Sequence, residues 1–227
     1  MRPGDGAGPG RFTQVLSGLG AKVWVSDVSP TQIKLNETYA HQHEFAQAVQ
    51  DWQVADICDL HLYKDQQFDH VVAYGGPLSY VLDQRDQALS ECLRVLQPGG
   101  KLLLSVMSLW GTIRSALIGV VRDISIETNR KVIASGNLIP ETFDNRGHYL
   151  HMFQAQELRS WLHDNRVEIL DMAASHALSL NYNEPLAEVR QDEEKWTFLL
   201  EMELEASAQP GAWDLGTHLL AVVQKSV

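Results

Sequence analysis

Apolar runs of strand length alternate with helix-patterned segments through most of the 227-residue chain, and this alternation restricts the fold more than any other feature. A strand buried on both faces reads as a continuous apolar run, and its parallel neighbour is reached through a crossover that is usually a helix. Residues 21–26 (AKVWVS), 68–74 (FDHVVAY) and 101–106 (KLLLSV) are such runs, and 54–57 (VADI) is a shorter one. Between them, Phe12, Val15, Leu16 and Leu19 share one helical face that Gly20 closes. A second helix runs from Pro30 to about Tyr39 with Ser29 as its cap, and a third covers about 84–96 before Pro98-Gly99-Gly100. Residues 41–52 show no clear period. The alternation resumes with a helix at 155–163, a strand at 167–173, a helix at 192–205 and a strand at 218–223. The pattern predicts an α/β fold whose largely parallel sheet is covered on both faces.

Residues 107–152 break this rhythm, with a helix over about 110–126 followed by a polar, irregular stretch. Insertions of this kind commonly carry specificity. No linker or internal repeat divides the chain, so one domain is expected over 1–227. Within it, 1–106 form a cofactor-binding half, 107–152 a substrate cap and 153–227 the carboxyl-terminal part of the sheet.

Composition excludes several classes. With 44% hydrophobic and 21% charged residues the chain can bury a core and lacks the bias of disordered sequences. A formal net charge of −11 repels polyphosphates on average, so nucleic acid is not the expected partner. The densest basic group, Arg122, Arg130 and Lys131, is interleaved with Asp123 and Glu127 and reads as a solvated helix face. Cys58 and Cys92 have neither disulfide nor metal-ligand spacing, and no signal-peptide core or membrane-length apolar run is visible. The expectation is a cytoplasmic protein acting without membrane or metal, as a monomer or homodimer.

The sharpest motif is Gly6-Ala7-Gly8-Pro9-Gly10, set immediately before a helix. Glycines allow close backbone approach and positive φ, and a helix amino terminus offers N–H donors to a carboxylate or phosphate. The cluster predicts a site for a cofactor with an anionic tail; the alternative is a flexible glycine-rich terminus. The dinucleotide pattern Gly-x-Gly-x-x-Gly fails, because Arg11 or Pro9 falls where its third glycine belongs. Asp27, at the end of the next strand, is placed to accept hydrogen bonds from a ribose diol. That would serve any nucleoside cofactor, and the alternative is a surface turn carboxylate.

Taken in order, Gly-Ala-Gly-Pro-Gly, Val25-Ser26-Asp27-Val28-Ser29-Pro30, Ala55-Asp56-Ile57, Phe68-Asp69-His70-Val71-Val72 and Leu96-Gln97-Pro98-Gly99-Gly100-Lys101-Leu102 resemble the motif series of the class I, Rossmann-like S-adenosylmethionine-dependent methyltransferases. The resemblance spans about residues 4–108. It implies a doubly wound, mostly parallel sheet with an antiparallel last strand and S-adenosylmethionine as cofactor. Gly6, Ala7, Gly8 and Gly10 would pack against its methionine moiety and Asp27, with Val28 beside it, would hold the ribose hydroxyls. Asp56 would accept from the adenine amino group, Ile57 would pack on the adenine face, and Ala73 and Tyr74 would lie beside the sulfonium. The sequence departs from the family at its start, where an apolar strand ending in an acid normally precedes the glycine loop. Gly4 takes the place of that acid and Asp5 follows one position late. The expectation is a missing first strand and a shortened version of a longer protein.

Methyl transfer from a sulfonium needs chiefly a positioned acceptor and the exclusion of water. Where the acceptor carries a proton, a histidine titrating near neutrality is the natural base. His148 or His151, in a segment where the family often places acceptor-facing residues, is the expected base. Tyr80, Trp110 and Tyr149 are expected to shape the pocket, with His176 and Tyr182 behind them; exposed histidines and ordinary core aromatics are the alternative. The functional expectation is methyl transfer to an oxygen or nitrogen of a small, secondary metabolite. A catalytically silent methyltransferase-like partner or regulator, or a protein or RNA methyltransferase, are the competing readings.

Overall fold

A computed structural model describes residues 7–142 and 149–225 of the chain. Helix α1 (Arg11–Gly18) leads into β1 (Val23–Asp27), α2 (Pro30–Gln42) and β2 (Val49–Val54). Strand β3 (Phe68–Ala73), the single turn α3 (Pro77–Tyr80), α4 (Arg85–Val95) and β4 (Leu96–Met107) follow. Next come α5 (Leu109–Ser115), α6 (Leu117–Asp123), α7 (Ile126–Ser135) and the short strands β5 (Asn137–Leu138) and β6 (Leu150–His151). The chain closes with α8 (Ala155–Asp164), β7 (Glu168–Ser175), α9 (Asn183–Val189), α10 (Glu193–Ser207) and β8 (His218–Gln224).

The strands form a four-stranded sheet in the order β3-β4-β8-β7, a separate parallel pair β1-β2, and the small antiparallel pair β5-β6. In the large sheet β3 and β4 are parallel, and β8 runs antiparallel to both β4 and β7. This is the expected α/β architecture with its reversed last strand, but among the described residues its main sheet is in two pieces.

The core lies on the large sheet. Leu102, Leu104 and Val106 of β4 and Leu219, Ala221 and Val223 of β8 pack with Leu89 and Cys92 of α4 and with Leu158 and Leu162 of α8. Each fully buried leucine contributes about 1.5–3 kcal/mol. Cys58 and Cys92 are both buried and in no disulfide, and burial, helped by the nearby Glu91 charge, pushes the Cys92 thiol up to about 12, so it stays protonated. A second, smaller core joins Leu109, Val132, Leu150 and Met152, with Tyr80, Met107, Ile113 and Leu138 against it.

Several elements differ from the sequence expectation. The strand expected at 54–57 ends at Val54 and begins five residues earlier, at Val49. With Gln50, Asp51 and Gln53 among its six residues, and only Val49 buried, it suits the solvated edge of a two-stranded pair better than a buried run. Pro98-Gly99-Gly100 does not separate helix from strand but lies inside β4, where the register with β3 shifts. A Cβ on Gly100 would meet the Gln97 carbonyl at 2.8 Å and the Asp69 carbonyl at 3.0 Å, so the close approach requires glycine. The single helix expected over 110–126 is broken at Ala116, and the supposedly irregular segment after it starts with α7. There the Ser125 hydroxyl caps Thr128 N–H and Gly136, at φ 71°, ends the helix.

Candidate functional site

The glycine loop reaches its place through backbone tethers. Ala7 N–H donates to the Ser26 carbonyl at 3.1 Å, and Gly8 N–H donates to Asp27 Oδ2 at 3.0 Å. The other carboxylate oxygen of Asp27 accepts from Ser29 N–H at 2.8 Å, at the start of α2. Asp27 is therefore buried with both oxygens engaged by backbone, and one carboxylate fixes the glycine loop relative to two helices. Lone pairs on each oxygen remain for a further donor.

Asn36 holds the loop from the other side. Its amide donates to the Gly8 carbonyl and to Thr13 Oγ1, both at 3.0 Å, and its oxygen accepts from Trp52 Nε1 at 3.2 Å. An asparagine inside a helix is an indifferent helix former. Its burial among loop, α1 and β2 depends on elements far apart in sequence, so sequence reading missed it. Gly10 caps α1 at φ 111°, and no side chain caps that helix start, so its first amides stay available to a ligand. Gly8, at φ 60°, has open space where a Cβ would stand.

Ala7, Ile57, Ala73 and Tyr74 line one channel of about 690 Å³. Phe12 and Tyr74 meet edge to face across it, with ring centroids 5.1 Å apart. Burial raises the Tyr74 hydroxyl above its ordinary range. Asp56 is exposed in the turn after β2, where Oδ1 accepts from Cys58 N–H at 2.8 Å, and Val28 sits half-buried beside Asp27. Gly75 N–H, just beyond β3, is fixed by the Ser105 hydroxyl at 3.0 Å. Gly6 lies outside the described residues.

The expected acceptor-side residues cluster around the smaller core. Tyr80 packs against it, Trp110 is 40% exposed with Nε1 donating to Gln154 Oε1 at 3.3 Å, and Tyr149 is half-buried at the start of β6. His151 is buried, with Nδ1 at 2.7 Å from Asn137 Oδ1 and Nε2 at 2.7 Å from Glu157 Oε1. As the Asn137 amide is oriented, both ring nitrogens face oxygen acceptors, so no lone pair is offered to a substrate proton. Burial would raise the Glu157 carboxyl, but the bond to His151, the His151 charge, the Gln154 N–H and Arg85 together hold it below the ordinary range. His148 lies outside the described residues. Of the second-tier residues, His176 sits at φ 62° with Nδ1 2.8 Å from Ser175 Oγ, and Tyr182 is exposed ahead of α9.

Residues 5–104 match the family model described as a methyltransferase domain, a span that contains the glycine loop, Asp27, Asp56, β3 and most of β4. Over residues 5–104, less than half of its length, the chain is thus similar to methyltransferase domains. A ubiquinone biosynthesis O-methyltransferase of Xanthomonas oryzae pv. oryzae (strain PXO99A) is 26% identical over 169 residues, covering 74% of this chain and 62% of that protein. The chain thus corresponds to less than two thirds of its relative's length. Among solved structures, a methyltransferase from Methanosarcina mazei superposes with a TM-score of 0.63 at 19% identity, over 98% of this chain and 90% of that one. The Burkholderia thailandensis 1,6-didemethyltoxoflavin-N1-methyltransferase, solved with 1,6-didemethyltoxoflavin and S-adenosylhomocysteine, superposes at 0.57 with 16% identity, over 98% and 69%. These likenesses establish that the methyltransferase fold extends through β8, beyond the matched domain.

Proposed function

We propose that the chain transfers a methyl group from S-adenosylmethionine to an oxygen or nitrogen of a small molecule. The observation that carries this reading is the tether of the glycine loop to Asp27. It leaves the uncapped amides of α1, an open approach over Gly8 and a buried carboxylate beside the loop. The donor set fits the cofactor: amides for a carboxylate tail, Asp27 for a ribose diol, and Ile57, Ala73 and Tyr74 for apolar packing. When bound, the cofactor supplies an activated methyl group on a sulfonium. The protein's task is then to hold the acceptor in line and to exclude water.

In this reading Gly6, Ala7, Gly8 and Gly10 bind the methionine end, Asp27 and Val28 the ribose, Asp56 and Ile57 the adenine, and Ala73 and Tyr74 flank the methyl group. Residues 107–152 form the acceptor cap, with Tyr80, Trp110 and Tyr149 bounding the pocket. The proton released by the acceptor goes to His148, while His151 keeps β5, β6 and α8 together. Small-molecule acceptors are supported by the names of the two relatives, one an O-methyltransferase and one an N1-methyltransferase. The acidic charge supports them too.

Calorimetric titration with S-adenosylmethionine and S-adenosylhomocysteine tests the cofactor, with Asp27→Ala alongside. Saturable binding to the parent and its loss in the variant support the reading, and transfer of labelled methyl to phenols or heteroaromatic amines completes it. The divided sheet favours one second reading, a methyltransferase-like protein without turnover. Binding of both ligands without transfer to any acceptor class would select it.

A further inference from the structure

In α/β sheets of this kind ligands bind outside the carboxyl ends of the parallel strands. Tyr74 follows β3 and Met107 closes β4, and these two strands are parallel. Strand β8 runs antiparallel to β4, so its first residue, His218, stands at the same end, paired with Met107 on one side and with Ser175 of β7 on the other. Directly opposed residues place their side chains on one face, about 5 Å apart. Met107, His218 and Ser175 therefore form a row across three strands. Ala73, Leu104, Val106, Leu219 and Ala221 are buried in the core with α4 and α8. Side chains alternate along a strand, so Ser105, Met107 and His218 project from the opposite face. On that face Ser105 Oγ accepts from Gly75 N–H at 3.0 Å. Met107 Cγ and Sδ lie 3.6 Å, and Tyr80 Cε2 3.7 Å, from where a Cβ on Gly76 would stand. His218 is thus one strand away from a side chain that touches the turn directly after Tyr74.

The polar groups around this row are engaged, with one exception. Ser105 Oγ is held by Gly75 N–H, Ser79 Oγ accepts from Met107 N–H at 2.9 Å, and Ser175 Oγ meets His176 Nδ1 at 2.8 Å. His218 is half-buried, and its Nδ1 lies 3.3 Å from Thr217 Oγ1, but among the described residues its Nε2 has no hydrogen-bond partner. Burial and the His176 charge hold this ring below the ordinary histidine range, so at neutral pH it carries one N–H and one lone pair. Its neighbours on the same face, Met107 and Leu220, are apolar. One unengaged polar atom among apolar side chains is how a small-molecule pocket fixes the orientation of its ligand.

Building on the methyl-transfer reading, we propose that His218 binds the acceptor: its Nε2 holds a second, uncharged polar group while the atom to be methylated lies beside Tyr74. The acceptor class that fits is a planar molecule whose methylated oxygen or nitrogen is separated from a hydroxyl by about the width of one ring. A hydroxyl both donates and accepts, so it answers whichever tautomer the Thr217 contact selects. A molecule with a single polar group can satisfy only one end of this arrangement.

The test uses the full chain, with and without S-adenosylhomocysteine, and two probes, phenol and resorcinol, which differ by one hydroxyl across the ring. Imidazole carbon and proton signals are followed by NMR, and that of His218 is identified by its absence in His218→Leu. Resorcinol should shift the His218 signal and bind about tenfold tighter than phenol, the worth of one net hydrogen bond. In His218→Leu this preference should vanish. His218→Gln, whose amide also donates and accepts, should restore part of it. A purely structural role would weaken both probes alike and leave their ratio unchanged, so the ratio separates a contact from a loss of shape. No His218 shift with either probe, or the same ratio in parent and His218→Leu, overturns the proposal. Calorimetry with S-adenosylhomocysteine alone keeps the two readings apart. Absence of cofactor binding together with a His218-dependent ratio would remove the methyl-transfer reading and uphold the His218 site.

Discussion

Asp27 and Gly8 are joined by a 3.0 Å bond from the glycine N–H to Oδ2, nineteen residues apart in sequence, and through it the end of β1 sets the position of the glycine loop. The same carboxylate accepts from Ser29 N–H, so it acts on loop and helix together. Replacing Asp27 with Asn turns one acceptor into a donor and leaves a buried amide facing an N–H. Bonds to charged acceptors contribute about 1.5–3 kcal/mol each. Asp27→Asn should lower the urea midpoint and weaken S-adenosylhomocysteine binding by at least about tenfold, a factor worth about 1.4 kcal/mol. A variant of unchanged stability and affinity would remove Asp27 from both roles.

Gly8 and Gly10 separate binding from folding. An added Cβ on Gly10 would stand 3.0 Å from Tyr39 Cδ1 at φ 111°, where an L-residue is strained by about 1–3 kcal/mol. Gly10→Ala should therefore destabilise. Gly8→Ala meets open space at φ 60° and costs about 1–2 kcal/mol for its backbone conformation, but its methyl projects where the cofactor would approach. Side-by-side denaturation and titration should show Gly10→Ala with the larger stability loss and Gly8→Ala with the larger loss of affinity relative to its stability.

Asn36→Leu leaves the Gly8 carbonyl, the Thr13 hydroxyl and the Trp52 N–H without their partner. Each orphaned buried group costs about 1–3 kcal/mol. Chemical denaturation should register a loss in the upper half of the usual range for single substitutions, and cofactor affinity should fall with it. A loss below about 0.5 kcal/mol, the size of an ordinary surface change, would mean that the loop is held by Asp27 alone.

His218 supplies a pH dependence. Burial, assisted by the neighbouring His176 charge, depresses its folded-state value below the ordinary histidine range. The unfolded chain then binds more protons between the two values, so stability is fully present above about pH 6.5 and declines as pH falls through the folded value. Unfolding free energy measured from pH 7.5 to 5 should slope downward, and His218→Gln should flatten the slope by up to about one proton. Equal slopes in parent and variant would assign the pH dependence elsewhere.

The two histidines expected to serve as base should behave differently. His151→Gln disturbs the bonds to Asn137 and Glu157 and should lower stability while leaving the ionisation in the kcat/KM profile in place. His148→Gln should remove that ionisation. The reverse result would return the role of base to His151.

Much of this protein could be read from sequence because the signals are local. Ser29 and Pro30 start α2, Asp192 caps α10 through Lys195 N–H, and the apolar runs become β1, β3, β4 and β8, since capping and buried-strand composition depend on a few consecutive residues. The ordered glycine loop, Asp27 and the β3–β4 unit likewise announced the likeness to methyltransferase domains. Long-range relations were decided only by the tertiary structure. The role of Asn36 requires three elements to converge, and the double bonding of His151 requires α8 to meet β5 and β6. The shift of β2 follows from its lying at a sheet edge, because burial on one face or two is a property of neighbours. The opening between β1 and β3 stands between the two cases: the sequence lacks an apolar run ahead of the glycine loop, but which strand edges are left unpaired among the described residues appears only when the sheets are assembled.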